Sequence, residues 1–224
     1  MKTMKRMICV TLVMALCLCA AGCGKLPFGN VSPDDITSQP SDKSPYDAII
    51  TNYETAVTYG LDEAQMMEKG LNHMIPQCLA QDERAQVGYY VGDLNGDGQE
   101  ELAIAASSES EYYTGLIFAL YTVRDGEAVP LVISGERDRW YYAGEGQLYN
   151  VASSSAMESE NCLCTADEEL TYLDGVEYNA AMNADNPWLH FTGEAWEYVT
   201  EEEAEAFIVK MEYHVTNLEI IPFQ

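Results

Sequence analysis

The sequence predicts an α+β protein: an N-terminal helical hairpin, an antiparallel β-meander, and one helix near the C-terminus. Three observations predict it. Between residues 45 and 76, apolar residues recur every three or four positions, which is the period of an amphipathic helix. From Val87 the period changes to two, in short runs separated by the turn sequences NGDG, RDGE and GEG. After Thr200 the helical period returns in EEEAEAFIVKMEY.

Residues 1–22 predict a lipoprotein signal peptide. A basic start, MKTMKR, precedes an apolar run that is too short to span a membrane, and small residues then lead to Cys23. The end of this segment resembles a bacterial lipobox, although Ala20 stands where that motif usually has Leu. The resemblance implies that the Cys23 sulfur receives a diacylglycerol and that cleavage exposes Cys23. The alternative is an ordinary signal peptide that is cut after Ala20 or Gly22.

Residues 23–44 are rich in Ser, Pro, Asp and Gly and predict a disordered tether from lipidated Cys23. Residues 45–224 then form a single, mostly-β domain. We expect a location on the extracytoplasmic face of the cell membrane, with the acyl chains (diacylglycerol or palmitate) as the only membrane contact. Losing the three basic residues of the signal takes the formal net charge from −26 to −29. This charge excludes nucleic acid as a partner and favours divalent cations. We expect a monomer.

Capping and stop signals in the sequence predict where the helices begin and end. Ser44–Pro45 predicts the start of the first helix and Gly60 its end. Asp62 and Thr200 each precede a Gln or Glu three positions later, which predicts a capping box at each place. We expect the second helix of the hairpin to continue to Pro76. The closing VTNLEIIPF predicts a last strand.

The motif that carries chemistry is DLNGDGQEEL, with a predicted calcium loop at residues 93–101. Oxygen donors occupy the first, third, fifth and ninth positions, glycine takes the sixth, and the seventh offers its backbone carbonyl. The predicted ligands are Asp93, Asn95, Asp97, Gln99 and Glu101. The twelfth residue is Ile104 rather than the Glu of an EF-hand, and the flanks alternate like strands. The alternative is a metal-free hairpin turn, because Asn, Gly and Asp also favour turns.

The segment VGYYVGDLNGDGQEELAIA resembles a repeat of gut Firmicutes lipoproteins, clostridial ones among them, with a DxDGDGxPEL calcium loop. It is also similar to FG-GAP and VCBS blades. Asn95 replaces an Asp of the pattern, and Glu100 stands where Pro is common. The resemblance implies a propeller-blade-like antiparallel sheet and a structural Ca²⁺. It implies no particular activity.

Three cysteines follow the tether: Cys78, Cys162 and Cys164. An odd number allows at most one disulfide, and the pairing is open. Cys162 and Cys164 are two positions apart in a predicted strand and face the same side, a spacing that is poor for a mutual bridge. The chain has no second CxC or CxxC pair, so we expect no zinc site.

No residue is predicted to be catalytic. The histidines lie outside any HExxH motif, and the chain has neither a GxSxG elbow nor a P-loop. Six aromatic residues could form a stacking platform for a sugar or peptide, or fill the sheet core: Trp140, Tyr141, Tyr142, Tyr149, Trp188 and Trp196. We predict a cell-surface lipoprotein whose domain is a non-catalytic, calcium-stabilised binding module for an unknown glycan or protein ligand. The alternatives are an exported hydrolase of glycan or peptide that uses Asp or Glu, and a structural envelope module.

Overall fold

The computed structural model describes residues 44–167 and 169–224. The helices are α1 (Asp47–Thr58), α2 (Glu63–Glu68), α3 (Met74–Gln81) and α4 (Glu201–His214). The strands are β1 (Val87–Gly92), β2 (Glu101–Ala106), β3 (Leu116–Arg124), β4 (Glu127–Ile133), β5 (Asp138–Gly144), β6 (Gln147–Ser155), β7 (Glu158–Thr165), β8 (Tyr172–Asn179), β9 (Trp188–Phe191), β10 (Trp196–Tyr198) and β11 (Ile221–Pro222). The predicted signal peptide, Cys23 and all of the predicted tether except Ser44 lie outside the described residues. In the described ranges, no helix is both long and apolar enough to cross a membrane.

The strands form one antiparallel sheet in the order β10-β9-β8-β7-β6-β5-β3-β2-β1-β11, and β4 pairs with β3 off this path. Most neighbours in the sheet are also neighbours in sequence, because short turns join antiparallel strands. The short β11 pairs with β1 and forms the edge of the sheet that lies opposite β10. The predicted α+β class, with a propeller-blade-like meander, is confirmed.

The predicted second helix of the hairpin is divided into α2 and α3, and glycine is the reason. Gly70 has φ +69°, a left-handed conformation that ends α2. Its N–H donates to the Met67 carbonyl, and the Leu71 N–H donates to the Met66 carbonyl. Pro76 does not end a helix as expected but lies in the first turn of α3, where its missing N–H costs nothing.

Two further differences concern short strands. The predicted last strand, VTNLEIIPF, is reduced to the two residues of β11. The sequence runs WLHF and WEY form β9 and β10, which the sequence analysis did not predict. These strands are three or four residues long, so alternation within them is too brief to be recognised by period.

Alternating side chains place apolar clusters on both faces of the sheet. On one face, α1, α2 and α3 pack on β1–β3, around Tyr53, Met74 and Phe118. On the same face, α4 packs on β5–β9 through Phe207 and Met211, and Tyr141 contacts both clusters. The other face of β2, β3 and β6 carries a third cluster that includes Leu120, Leu148 and Val132. The loop between β1 and β2 joins two strands of this packed sheet.

Candidate calcium loop and ligand face

The predicted calcium loop connects two paired strands. Gly92, the last residue of β1, pairs with Glu101, the first residue of β2, so residues 93–100 form a hairpin connection. Gly96 and Gly98 have φ of +81° and +90°, which only glycine adopts at little cost. The two glycines therefore allow the chain to reverse on either side of Asp97.

Polar side chains of the loop accept hydrogen bonds from its own backbone. The Gly96 and Gly98 N–H groups donate to the two Asp93 oxygens at 2.6 and 3.0 Å. The Gln99 N–H donates to Asp97 Oδ1 at 2.7 Å, and the Asp97 N–H donates to Asn95 Oδ1 at 3.0 Å. Each oxygen has a second lone pair, so these contacts shape the loop without using up its acceptor capacity.

Glu101 is the buried member of the predicted ligand set, with 0 % exposure. Its Oε2 accepts the Leu94 N–H at 2.9 Å, and its Oε1 accepts the Thr122 hydroxyl at 3.5 Å. Burial raises the pKa of Glu101; the Leu94 N–H opposes this rise, and the charges of Asp97 and Asp93 add to it. A cation at the loop would offset this repulsion.

The side chain of Gln99 points away from the loop. Its Nε2 donates to Thr122 Oγ1 at 3.1 Å and to the Val123 carbonyl at 3.0 Å, which ties the loop to β3. Gln99 can therefore contribute its backbone carbonyl to a metal, as the spacing predicts, but not its side chain.

Contacts from other elements hold the loop in place. The Tyr142 hydroxyl donates to the Leu94 carbonyl at 3.0 Å, and the Tyr46 hydroxyl donates to the Glu100 carbonyl at 2.5 Å. Asn95 Nδ2 donates to the Ala166 carbonyl at 3.3 Å. The loop thus joins the N-terminal segment, β5 and the residues that follow β7.

The donor set fits a hard cation, because all five predicted ligands offer oxygen. Among residues 44–167 and 169–224, no group of three or more His, Cys, Asp or Glu side chains is arranged to hold a metal ion. Asp93, Asp97 and Glu101 therefore do not form a closed cage, and calcium would need the two aspartates to turn one oxygen each towards it. The calcium ligands stay a prediction.

A second feature lies on β6–β10, on the face opposite α4. Directly opposed residues of antiparallel strands share a face, and pairing aligns them into rows. One row is Asn150, Cys162, Gly175, Phe191 and Trp196. The next row is Ala152, Glu160, Glu177, Leu189 and Tyr198. We call these two rows the acidic–aromatic face.

Aromatic rings crowd the end of this face. Tyr172 packs against Phe191 with ring centroids 5.0 Å apart and against Trp196 at 5.7 Å. Gly175 makes room for it, since a β-carbon there would overlap the Tyr172 hydroxyl. Trp196 is 39 % exposed and Tyr198 is 51 % exposed. These two rings are therefore available to a ligand.

The other aromatic residues singled out by sequence contribute to the core. Tyr149 is buried, and its hydroxyl donates to Asn161 Oδ1 at 2.8 Å. Tyr141 and Trp188 pack in the cluster beneath α4. Trp140 and Tyr142 pack on the opposite face of the sheet. Of the six candidates for a stacking platform, only Trp196, on the edge strand β10, is an exposed residue.

Two carboxylates face each other within the acidic–aromatic face, and sequence reasoning did not single them out. Glu160 on β7 is paired directly with Glu177 on β8. Burial raises the pKa of Glu160; the Tyr172 hydroxyl opposes this rise, while Glu177 and Asp138 add to it. Glu177 Oε1 accepts a hydrogen bond from Asn179 Nδ2 at 2.8 Å. Only strand register brings this pair together.

Two histidines, His190 and His214, contact neighbouring residues of the fold. His190 Nε2 lies 2.8 Å from Asp174 Oδ1, and its ring packs against Phe207 of α4. His214 Nδ1 lies 2.7 Å from the Lys210 carbonyl at the end of α4. The Asp174–His190 pair spans adjacent strands, so its spacing in sequence carried no recognisable motif.

The sequence pattern of the FG-GAP repeat matches residues 90–120, which include the end of β1, the loop, β2 and the first half of β3. Searches of curated proteins and of solved structures found no match to this chain. The matched hairpin is typical of a β-propeller-like binding module. The fold and the repeat together define an α+β protein with one FG-GAP-type hairpin in an open antiparallel sheet.

Proposed function

We propose that this chain is a cell-surface lipoprotein whose domain is a non-catalytic, calcium-stabilised binding module. One observation carries the proposal: Asp93, Asp97 and the buried Glu101 lie on a single hairpin of a chain with formal net charge −26. Calcium would neutralise these carboxylates and hold β1 against β2. An FG-GAP match over the same hairpin supports this assignment.

The calcium test uses titration calorimetry on chelator-stripped protein. We expect heat of binding with a dissociation constant of about 10⁻⁴–10⁻³ M, as for extracellular modules. Asp97→Ala abolishes this heat, because it removes a carboxylate at the centre of the loop. Glu109→Ala, which removes an exposed carboxylate outside the loop, leaves binding unchanged. Absence of heat from the unsubstituted protein refutes the calcium site.

The ligand face of the module is proposed to be the acidic–aromatic face. Trp196 and Tyr198 offer flat apolar surface for stacking on a sugar ring or peptide side chain. Residues 140–209 contain no lysine or arginine but fifteen Asp and Glu residues, so an anionic ligand would be repelled. We therefore infer a neutral glycan or a cationic peptide.

A glycan array and a lysine-rich peptide series test this ligand face. Trp196→Ala should lower affinity at least tenfold, because it removes the exposed ring. Tyr59→Ala, at a well-exposed ring next to α1, is the matched control and should bind normally. Equal loss in both variants, or none in either, would place the ligand elsewhere.

The hydrolase alternative has one observation in its favour, the opposed Glu160 and Glu177. A pair of carboxyl groups that face each other is what glycoside hydrolysis uses. Released sugar during the array experiment, lost in Glu160→Gln and in Glu177→Gln, would establish catalysis. Binding without release favours the binding module. Neither binding nor release would favour the structural envelope module.

The lipid anchor is tested independently. Cys23→Ser should move the protein from the membrane fraction to the soluble extracytoplasmic fraction, because two acyl chains are needed for stable anchoring. Cys78→Ser, at a buried core cysteine, is the control and should remain in the membrane fraction. Retention of Cys23→Ser in the membrane fraction refutes lipidation at this residue.

A further inference from the structure

Cys162 and Cys164 lie in contact on β7. Their sulfur atoms are 3.7 Å apart, which is close to the sum of two sulfur radii, and both residues are buried. The spacing by itself is poor for a mutual bridge, because same-face residues of a regular strand have Cα atoms about 6.6–6.8 Å apart. Disulfides span about 4.4–6.8 Å between Cα atoms, so the pair lies at the upper limit.

The strand pairing is irregular at this pair. The register of β7 and β8 shifts between Leu163 and Cys164, so Cys164 is paired with Tyr172, and Leu163 with Asp174. Leu173 is left without an opposite residue. The extra residue lies on β8, so β8 is the strand that the bulge bends, and its ladder with β7 is interrupted beside Cys164. On its other side β7 stays in continuous register with β6 from Glu160 to Thr165, so the pairing of Cys164 is loosened on the β8 side alone.

We propose that Cys162 and Cys164 form a reversible disulfide, a covalent modification site at the border of the acidic–aromatic face. Cys78 is not a competitor, because it lies in the helical cluster with Tyr53 and Met74, on the opposite face of the sheet. The resulting bond is strained by the strand geometry, and strained disulfides are the readily reduced ones. The inference does not depend on the calcium loop or the lipid anchor.

The reaction is thiol–disulfide exchange with a low-molecular-weight disulfide such as oxidised glutathione. The Cys164 thiolate attacks one sulfur of glutathione disulfide, which forms a mixed disulfide and releases one glutathione thiolate. The Cys162 thiolate then attacks Cys164 Sγ and displaces the second glutathione. The two protein protons end on the two glutathione molecules, so the protein is oxidised by two electrons and the glutathione is reduced.

The contacts of the pair support this order. The two thiols are hydrogen-bonded to each other, and this contact lowers the pKa of Cys164 and raises that of Cys162. Burial raises the pKa of Cys78 to about 12, so this thiol stays protonated and unreactive. The lowered pKa makes Cys164 the attacking group.

Closing the bond affects the aromatic rings above it. Tyr172 lies opposite Cys164, and its hydroxyl occupies the space above Gly175, next to Cys162. The same ring packs on Phe191 and Trp196. A shift of β7 by closure is thus transmitted to Trp196, whose fluorescence reports it.

The test uses the complete chain. Trypsin then separates Cys162 and Cys164 from the other cysteines on a single peptide. The chain has no Lys or Arg between Arg139 and Lys210, so cleavage yields Trp140–Lys210, whose only cysteines are Cys162 and Cys164. Native protein is equilibrated with oxidised and reduced glutathione at several ratios, quenched with a thiol-alkylating reagent and digested. As the oxidised fraction rises, we expect the dialkylated peptide to be replaced by a peptide that carries no alkyl group and has two hydrogens fewer than the free dithiol. Dithiothreitol should restore both alkyl groups.

Three variants make the result specific. Cys162→Ser and Cys164→Ser should each leave the remaining thiol unable to close the ring. Cys78→Ser should behave like the unsubstituted protein. The proposal is overturned if the peptide carries two alkyl groups at every glutathione ratio, or if it is recovered cross-linked to Gly70–Arg84, the peptide of Cys78.

Discussion

Substitution of Glu101 separates the charge of this residue from its hydrogen bonds. Glu101→Gln keeps the side-chain shape and an oxygen for the Leu94 N–H, which donates at 2.9 Å, but removes the charge. The folded state raises the pKa of Glu101 through burial and the neighbouring aspartates. An acid with a raised folded pKa adds stability below its unfolded pKa and loses it as pH rises through the folded pKa. At neutral pH the ionised group therefore costs stability when calcium is absent.

The expected size follows from linkage. With about 10 mM calcium and a dissociation constant of about 10⁻⁴–10⁻³ M, binding adds about 1.4–2.7 kcal/mol to the free energy of unfolding. A domain of this size gains about 2–4 °C per kcal/mol, so its Tm rises by about 3–11 °C. Glu101→Ala also leaves the buried Leu94 N–H unpaired, which costs about 1–3 kcal/mol with or without calcium.

Differential scanning calorimetry in EDTA, in calcium and in magnesium distinguishes these terms. In EDTA at neutral pH, Glu101→Gln should melt at or above the unsubstituted protein, and Glu101→Ala well below it. In calcium, only the unsubstituted protein should gain the full shift, with a smaller gain in magnesium. If Glu101→Gln keeps the whole calcium shift, Glu101 is not a ligand. If it melts far below the unsubstituted protein in EDTA, the buried charge is not a cost and the reasoning fails.

Three other predictions concern stability. Asn72→Ala should lower the free energy of unfolding by about 2–4 kcal/mol in urea titrations, because its amide joins the Phe118 and Ser134 carbonyls; exposed Asn52→Ala should change it little. Gly70→Ala should cost about 1–2 kcal/mol through its positive φ, whereas Gly135→Ala, in open space, should cost less. Hydrogen bonds lower the pKa of Asp82 although burial opposes this; the donors are the Glu111 N–H, the Ser110 hydroxyl, and the Arg84 and Tyr112 N–H groups. The ionised Asp82 therefore stabilises the folded state, and this contribution is lost as pH falls through the folded pKa. Asp82→Asn should then flatten the loss of stability between neutral pH and about pH 3, measured by urea midpoints.

Local patterns were sufficient for most elements of the fold. The change of period at Val87 predicted the meander, since alternation is what a strand with one apolar side requires. The capping boxes at Asp62 and Thr200 are present with both of their hydrogen bonds. The division of the second helix was missed because Gly70 was read as part of a helix, although glycine at such a position can equally end one.

The candidate sites divide in the same way. The loop from Asp93 to Glu101 is contiguous, so its oxygen donors could be recognised from spacing alone. The opposed Glu160 and Glu177 come from different strands, and a one-residue change of register would move one of them to the other face. No local pattern encodes that register.

The sequence by itself determined a strongly acidic, mostly-β domain with a polar hairpin suited to a hard cation, because composition, period and loop spacing are properties of neighbouring residues. Tertiary structure alone decided which aromatic rings are exposed, which carboxylates face each other, and that the Cys162 and Cys164 sulfur atoms touch. These depend on strand register and on which face the helices cover. Both are set by packing between residues that are far apart in the chain.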